Sequence, residues 1–310
     1  MTGTWTMRAG AAWSWRTGWR SLLLLLLFAG LPPAQARDTG ATLAAEQGML
    51  WQISAPATGK TSYLFGTIHS EDSRVTTLAP AVQNAFNRST RYVMEIIPDQ
   101  ASMVAASQAM LLGQGASLRA LVGTSLFDQT VRILRELGVP PEAADRFKPW
   151  AAMVIMSMPR AETGQVLDLL LYNAALKAGK AQSGLESAME QLSIFDSLPL
   201  AEQKVLLAEA VALYPQMPGI LEQLHLAYIA RDLARLAALS DQYSNMGDAR
   251  LASKVNDALV DQRNQRMAER MEGYLREGGA FVAVGALHLP GKQGLLQLLR
   301  KRGYVVTAVY

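Results

Sequence analysis

The chain has 310 residues and no cysteine, which excludes disulfides, thiolate metal sites and cysteine nucleophiles. Lys and Arg number 29 against 26 Asp and Glu, and Arg8, Arg16 and Arg20 fall in the first 36 residues, so the remainder is balanced in charge. No basic field is left to argue for nucleic acid as a partner.

Residues 1–36 read as a signal peptide. The three arginines precede an apolar stretch at residues 21–31, too short to span a bilayer, and Ala34-Gln35-Ala36 offers the small residues a signal peptidase reads. Cleavage after Ala36 would leave residues 37–310 as one domain without a transmembrane anchor, and no cysteine stands there to carry a lipid. The expected location is periplasmic or secreted.

Residues 49–54 and 62–68 are short apolar runs on either side of Pro56-Ala57-Thr58-Gly59-Lys60, which predicts a β-hairpin. Leu78, Val82 and Phe86 recur at helical spacing within residues 75–87. A strand follows at residues 91–96, placed to neighbour the strand that ends near His69. Helices punctuated by Gly and Pro then run to about residue 179; residues 153–158 are apolar nearly all round and predict a buried helix. Residues 182–186 form a short strand that enters a helix, and further helices run from 200 to about 273. Strands at 281–286 and 304–309, joined by a helix over 291–301, close the chain as a βαβ unit. The expected fold is α/β: a central mixed β-sheet flanked by helices, split by a long helical insertion, or cap, at about residues 100–275.

Two of the three histidines share a frame. Gly66-Thr67-Ile68-His69 and Gly285-Ala286-Leu287-His288 each follow an apolar strand, and α/β proteins place ligands at the C-terminal ends of strands. Glycine there permits a tight turn or a close approach. Glu95 ends a strand in the same way. Two imidazoles and a carboxylate suit Zn, Mn, Co or Fe. Glu186 is either a further ligand or general base, or an acid at a helix N-terminus. Arg263 and Asn264 lie in a polar helical run whose residues are expected mostly on a solvated face, though both are also donors for an oxyanion. His225, on a helix without a glycine frame, reads as structural. No GxSxG, GxGxxG or GxxxxGK motif occurs.

In order and spacing, Tyr63-Leu64-Phe65-Gly66-Thr67-Ile68-His69, Val93-Met94-Glu95, Gly184-Leu185-Glu186 with Gln191, Arg263-Asn264, and Val284-Gly285-Ala286-Leu287-His288-Leu289 followed by Gly294-Leu295-Leu296 and Gly303-Tyr304 resemble the TraB/GumN family. The resemblance covers about residues 45–310. That family is similar to the Tiki metalloproteases, which are membrane-associated, and more distantly to erythromycin esterases and haem-binding proteins of the ChaN type. The resemblance implies a sheet flanked by helices with a divalent metal near the two GxxH histidines. His69, Glu95 and His288 match its site positions, and Arg263 and Asn264 match a further polar motif.

The expected function is a periplasmic metal-dependent hydrolase, a peptidase acting on a peptide or protein. Its metal would be held by His69, Glu95 and His288; Glu186 would shuttle a proton, and Arg263 or Asn264 would steady the oxyanion. One alternative is a metal-independent esterase-like hydrolase with His69 as general base oriented by Glu95. Another is a non-catalytic envelope protein that binds haem, a metal or another ligand.

Overall fold

In a computed structural model, residues 47–310 are described, apart from 160, 161 and 245. The expected signal peptide lies outside the described residues. The sheet has six strands: β1 (Leu50–Ser54), β2 (Thr61–Thr67), β3 (Arg91–Met94), β4 (Ala181–Gly184), β5 (Ala280–Gly285) and β6 (Val305–Ala308). Their order across the sheet is β4-β3-β5-β2-β1-β6. The β1–β2 hairpin and the β1–β6 pair are antiparallel, and β2, β5, β3 and β4 run parallel. This mixed sheet flanked by helices is the expected α/β fold.

The central position of β5 follows from its sequence. Ala280-Phe281-Val282-Ala283-Val284 is buried along its whole length, the pattern of a parallel strand covered on both faces. Phe281 packs against Phe65, Phe86 and Tyr92 with ring centroids 5.4–6.4 Å apart, so one side chain joins β2, β3 and a covering helix.

The order corrects one expectation. The strand that leads to Glu95 adjoins β5, not β2, so Glu95 neighbours the second glycine frame rather than the first. Two helices also differ from their expected bounds. The helix expected over 75–87 is two, Ser73–Thr76 and Pro80–Arg88, because Pro80 starts a new helix at its N-terminus. The last helix begins only at Leu295.

Helices occupy the chain between β3 and β5, interrupted by β4. A second apolar core lies within them, around Trp150, which stacks on Phe195 and donates its indole N–H to Asp196 at 2.9 Å. Met153 and Met156 on Pro149–Met156 are buried there. They help line a cavity of about 220 Å³ with Phe195, Leu213, Met217 and Tyr243, as adaptable thioethers commonly do.

A π-helical turn, Asp257–Asp261, joins helix Ala249–Asn256 to helix Gln262–Glu277. The wider turn resets the phase of the residues that follow it. Arg263, Asn264, Met267, Ala268, Met271 and Leu275 then form the buried stripe. Arg263 and Asn264 are both 0% exposed, which overturns the expectation of a solvated face.

Candidate functional site

The two glycine frames pack directly on each other. β2 and β5 pair with Gly66 opposite Val284 and Thr67 opposite Gly285. A Cβ on Gly66 would stand 2.7 Å from Leu289 Cδ1 and 3.1 Å from Ala286 Cα. Neither Gly66 nor Gly285 has a positive φ. Close approach, rather than a special turn, is what these glycines supply. The carbonyl of Gly66 also accepts the Tyr228 hydroxyl at 2.8 Å, which fixes the end of β2 against helix Met217–Ile229.

His288 is buried, and its neighbours define its protonation. Asn264 Nδ2 donates to the Gln293 carbonyl at 2.8 Å, so Asn264 Oδ1 faces His288 Nδ1 at 2.7 Å and accepts from it. Arg263 Nη1, which can only donate, lies 3.1 Å from His288 Nε2. The ring is thus neutral, with its proton on Nδ1. Burial and the charge of Arg263 together push its pKa down to about 3, against the pull of Glu95.

Glu95 stands just past β3. Its Oε1 accepts the Gly285 N–H at 2.7 Å and lies 3.8 Å from His288 Nε2. Its Oε2 accepts from Arg263 Nη2 at 2.5 Å and from Gln191 at 3.2 Å. Burial would raise this carboxyl, but Arg263, His288 and the Gly285 amide hold it down at about 2. A second carboxylate, Glu186, follows β4 with a side chain that is 0% exposed. It accepts from Arg263 Nε at 2.7 Å, Gln191 at 3.1 Å and Arg266 at 3.3 Å. Arg263 therefore bridges two acids and one histidine. Ser187 and Glu190 form a capping box that starts helix Ala188–Asp196 right after Glu186. The cap of that helix is therefore Ser187, and Glu186 is free to turn into the centre.

His69 belongs to a separate pair. Its Nδ1 lies 2.8 Å from Asp168 Oδ2, and Thr67 Oγ1 donates to Asp168 Oδ1 at 2.6 Å. Asp168 sits in the first turn of helix Leu167–Lys177. The carboxylate in contact with His69 is thus Asp168, where the sequence had pointed to Glu95. Burial lowers the pKa of His69, but the charge and hydrogen bond of Asp168, helped by Glu95, leave it raised above its usual value. His288 feels the charge of His69, and both histidines feel Glu95 and Arg263. Asp168 escaped the sequence reading because it lies inside a run of leucines, with no motif around it.

The donor types suit a divalent metal, and so does their support. Each imidazole is held at Nδ1 by an oxygen acceptor, the arrangement that aims Nε2 of a metal-binding histidine. Among the described residues, three donors with all ligand atoms within 4.8 Å occur at Asp72, Glu222 and His225. His69, Glu95 and His288 are spread wider than that, with Glu95 and His288 the close pair. The Asp72 group is filled by Arg74, whose guanidinium donates to both carboxylates at 2.6–3.1 Å. It ties the segment after His69 to helix Met217–Ile229. His225, expected to be structural, lies 4.0 Å from Asp72.

The fold and these contacts define an α/β protein with a buried histidine, carboxylate and guanidinium centre at the ends of parallel strands. The TraB/PrgY/gumN family model matches residues 49–308, and the chain belongs to that family. It is similar to Metalloprotease TIKI2 of Danio rerio, 25% identical over 310 residues, covering 83% of this chain and 60% of the relative. Metalloprotease TIKI1 of Danio rerio is 26% identical over 297 residues, covering 79% and 60%. Metalloprotease TIKI1 of Homo sapiens is 25% identical over 357 residues, covering 95% and 69%. The chain spans about 60% of the length of the two zebrafish relatives. No solved structure matches significantly.

Proposed function

We propose that this chain is a metal-dependent hydrolase of peptide bonds that works in the periplasm. The observation that carries the reading is a pair of oxygen-oriented imidazoles just past the ends of β2 and β5, with Glu95, just past β3, beside His288. The similarity to proteins named metalloproteases supports it. The location rests on the signal peptide expected at residues 1–36; no helix among the described residues is long and apolar enough to cross a membrane.

His69, Glu95 and His288 would hold the metal, with Mn, Co, Zn and Fe all compatible with an N/O donor set. Such a metal lowers the pKa of bound water and polarises a carbonyl. Neutral His288 and ionised Glu95 are already in the protonation states that a ligand requires. Arg263 Nη1 now rests on His288 Nε2 and would have to yield that nitrogen. Its guanidinium then remains beside Glu95 as a fixed positive charge for a developing oxyanion. Glu186, with Arg263, Arg266 and Gln191 on its oxygens, is better placed to anchor Arg263 than to carry a proton. Asn264 orients His288.

The His69–Asp168 pair also favours a second reading, a metal-free hydrolase with His69 as general base. Turnover of a peptide library before and after chelation separates the two. Loss on chelation and recovery with metal supports the first reading; turnover that resists chelation in metal-free protein supports the second.

A further inference from the structure

Three hydrogen-bonded contacts meet around Asp168. Thr67, the last residue of β2, donates its hydroxyl to one carboxylate oxygen at 2.6 Å. His69, two residues on, meets the other oxygen at 2.8 Å. The Leu167 amide donates to the Ser70 carbonyl at 3.2 Å, which fixes the start of the helix against the segment just past His69. Asp168 also occupies the first turn of that helix, where the macrodipole favours a negative charge. The side chains of His69 and Asp168 are only 14% and 12% exposed, so the contact is shielded from competing water.

The two histidines of the site are therefore held in matching fashion by unlike groups. Asn264, a neutral amide, accepts from Nδ1 of His288; Asp168, a carboxylate, accepts from Nδ1 of His69. An ionised carboxylate can only accept, so it dictates which nitrogen of the ring bears the proton. We propose that Asp168 is the positioning residue of His69, holding its proton on Nδ1 and leaving Nε2 as the ring's free nitrogen. The value of that tautomer to metal binding rests on the reading above; the tautomer itself does not. Thr67 holds the other carboxylate oxygen, so the device spans β2 and helix Leu167–Lys177.

The chain has three histidines, so its imidazole nitrogens can be assigned one by one. The test is 15N NMR of the labelled chain at about pH 8.5, with His225→Ala to remove the one signal outside the site, beside titration with cobalt(II) alone. Wild type should show His69 protonated at Nδ1, with that proton shifted downfield and slow to exchange. Asp168→Ala should move the proton to Nε2 and weaken cobalt binding by about 10–100-fold. An Nε2 proton on His69 in wild type overturns the inference, and that arm needs no variant to fold. An unchanged Nδ1 proton, or unchanged cobalt affinity, in folded Asp168→Ala overturns it too. Wild type that binds no cobalt contradicts the metal reading instead, while the tautomer still decides this one.

Discussion

Arg263 places Nη2 2.5 Å from Glu95 and Nε 2.7 Å from Glu186, while its own side chain is 0% exposed. One guanidinium therefore bridges two carboxylates, a buried Glu186 and a half-buried Glu95, that arrive from different strands. Breaking such a pair from one side strands the partner charge and costs about 3–5 kcal/mol. Arg263→Ala should lose stability on that scale in urea unfolding. Arg263→Lys should recover only part of it, because an ammonium cannot reproduce the fork. A lysine variant as stable as wild type would mean that charge alone, without the bidentate geometry, holds the centre.

Glu186→Gln separates an anchor from a proton carrier. As an anchor, its loss of charge beside Arg263 should lower stability by about 1–3 kcal/mol, with turnover falling only as Arg263 loosens. A proton carrier would instead lose about 10²–10⁴-fold in kcat with the melting temperature nearly unchanged. Melting curves and initial rates on the same preparation decide between the two.

The contact between the glycine frames is tested by Gly66→Ala. The added methyl would meet Leu289 Cδ1 at 2.7 Å and the Ala286 backbone at 3.1 Å, an overpacking worth about 1–3 kcal/mol. Gly219→Ala is the control. It lies in helix Met217–Ile229 with nothing within 4 Å of its new methyl, and should stabilise by roughly 0.5–1 kcal/mol. Opposite shifts in melting temperature are expected, and equal shifts would contradict the packing account.

Glu190 gives a pH signature away from the histidines. Its carboxyl is held at about 2 by Arg270, then by the Ser187 amide and hydroxyl, against a smaller effect of burial. A depressed carboxylate contributes stability above its unfolded value, near 4.5, and loses it as pH falls towards about 2. The Glu190 side chain is 37% exposed, so solvent screens the pair with Arg270 and the contribution is about 1 kcal/mol or less. Wild type should outlast Glu190→Ala in urea at pH 7, with the gap closing between pH 4.5 and 2. A gap unchanged across that range would contradict the assignment.

Much of this was legible because strands and frames are local signals. The apolar runs of β2 and β5 and their GxxH ends mark both histidines, and Glu95 is found by the same rule. Strand order was not legible: nothing local in Arg91–Met94 says that it pairs with β5 rather than β2. Asp168 was missed for a related reason, since 101 residues separate it from Thr67 and the helix that carries it is otherwise apolar. Arg263 and Asn264 were readable in part. Met267, Ala268, Met271 and Leu275 continue their face at helical spacing, which marks that face as buried. The polar run around them masked the stripe, and the π-helical turn that aims it has no clear sequence signature.

The central claim is that His69, Glu95 and His288 hold a divalent metal on which hydrolysis depends. The most direct measurement is metal content of the purified chain by elemental analysis, beside peptide turnover, for wild type, His69→Ala, His288→Ala and His225→Ala. The account predicts bound metal and turnover in wild type and His225→Ala, and loss of both together in the other two. Full turnover in metal-free wild type, or metal retained by both His69→Ala and His288→Ala, would contradict it.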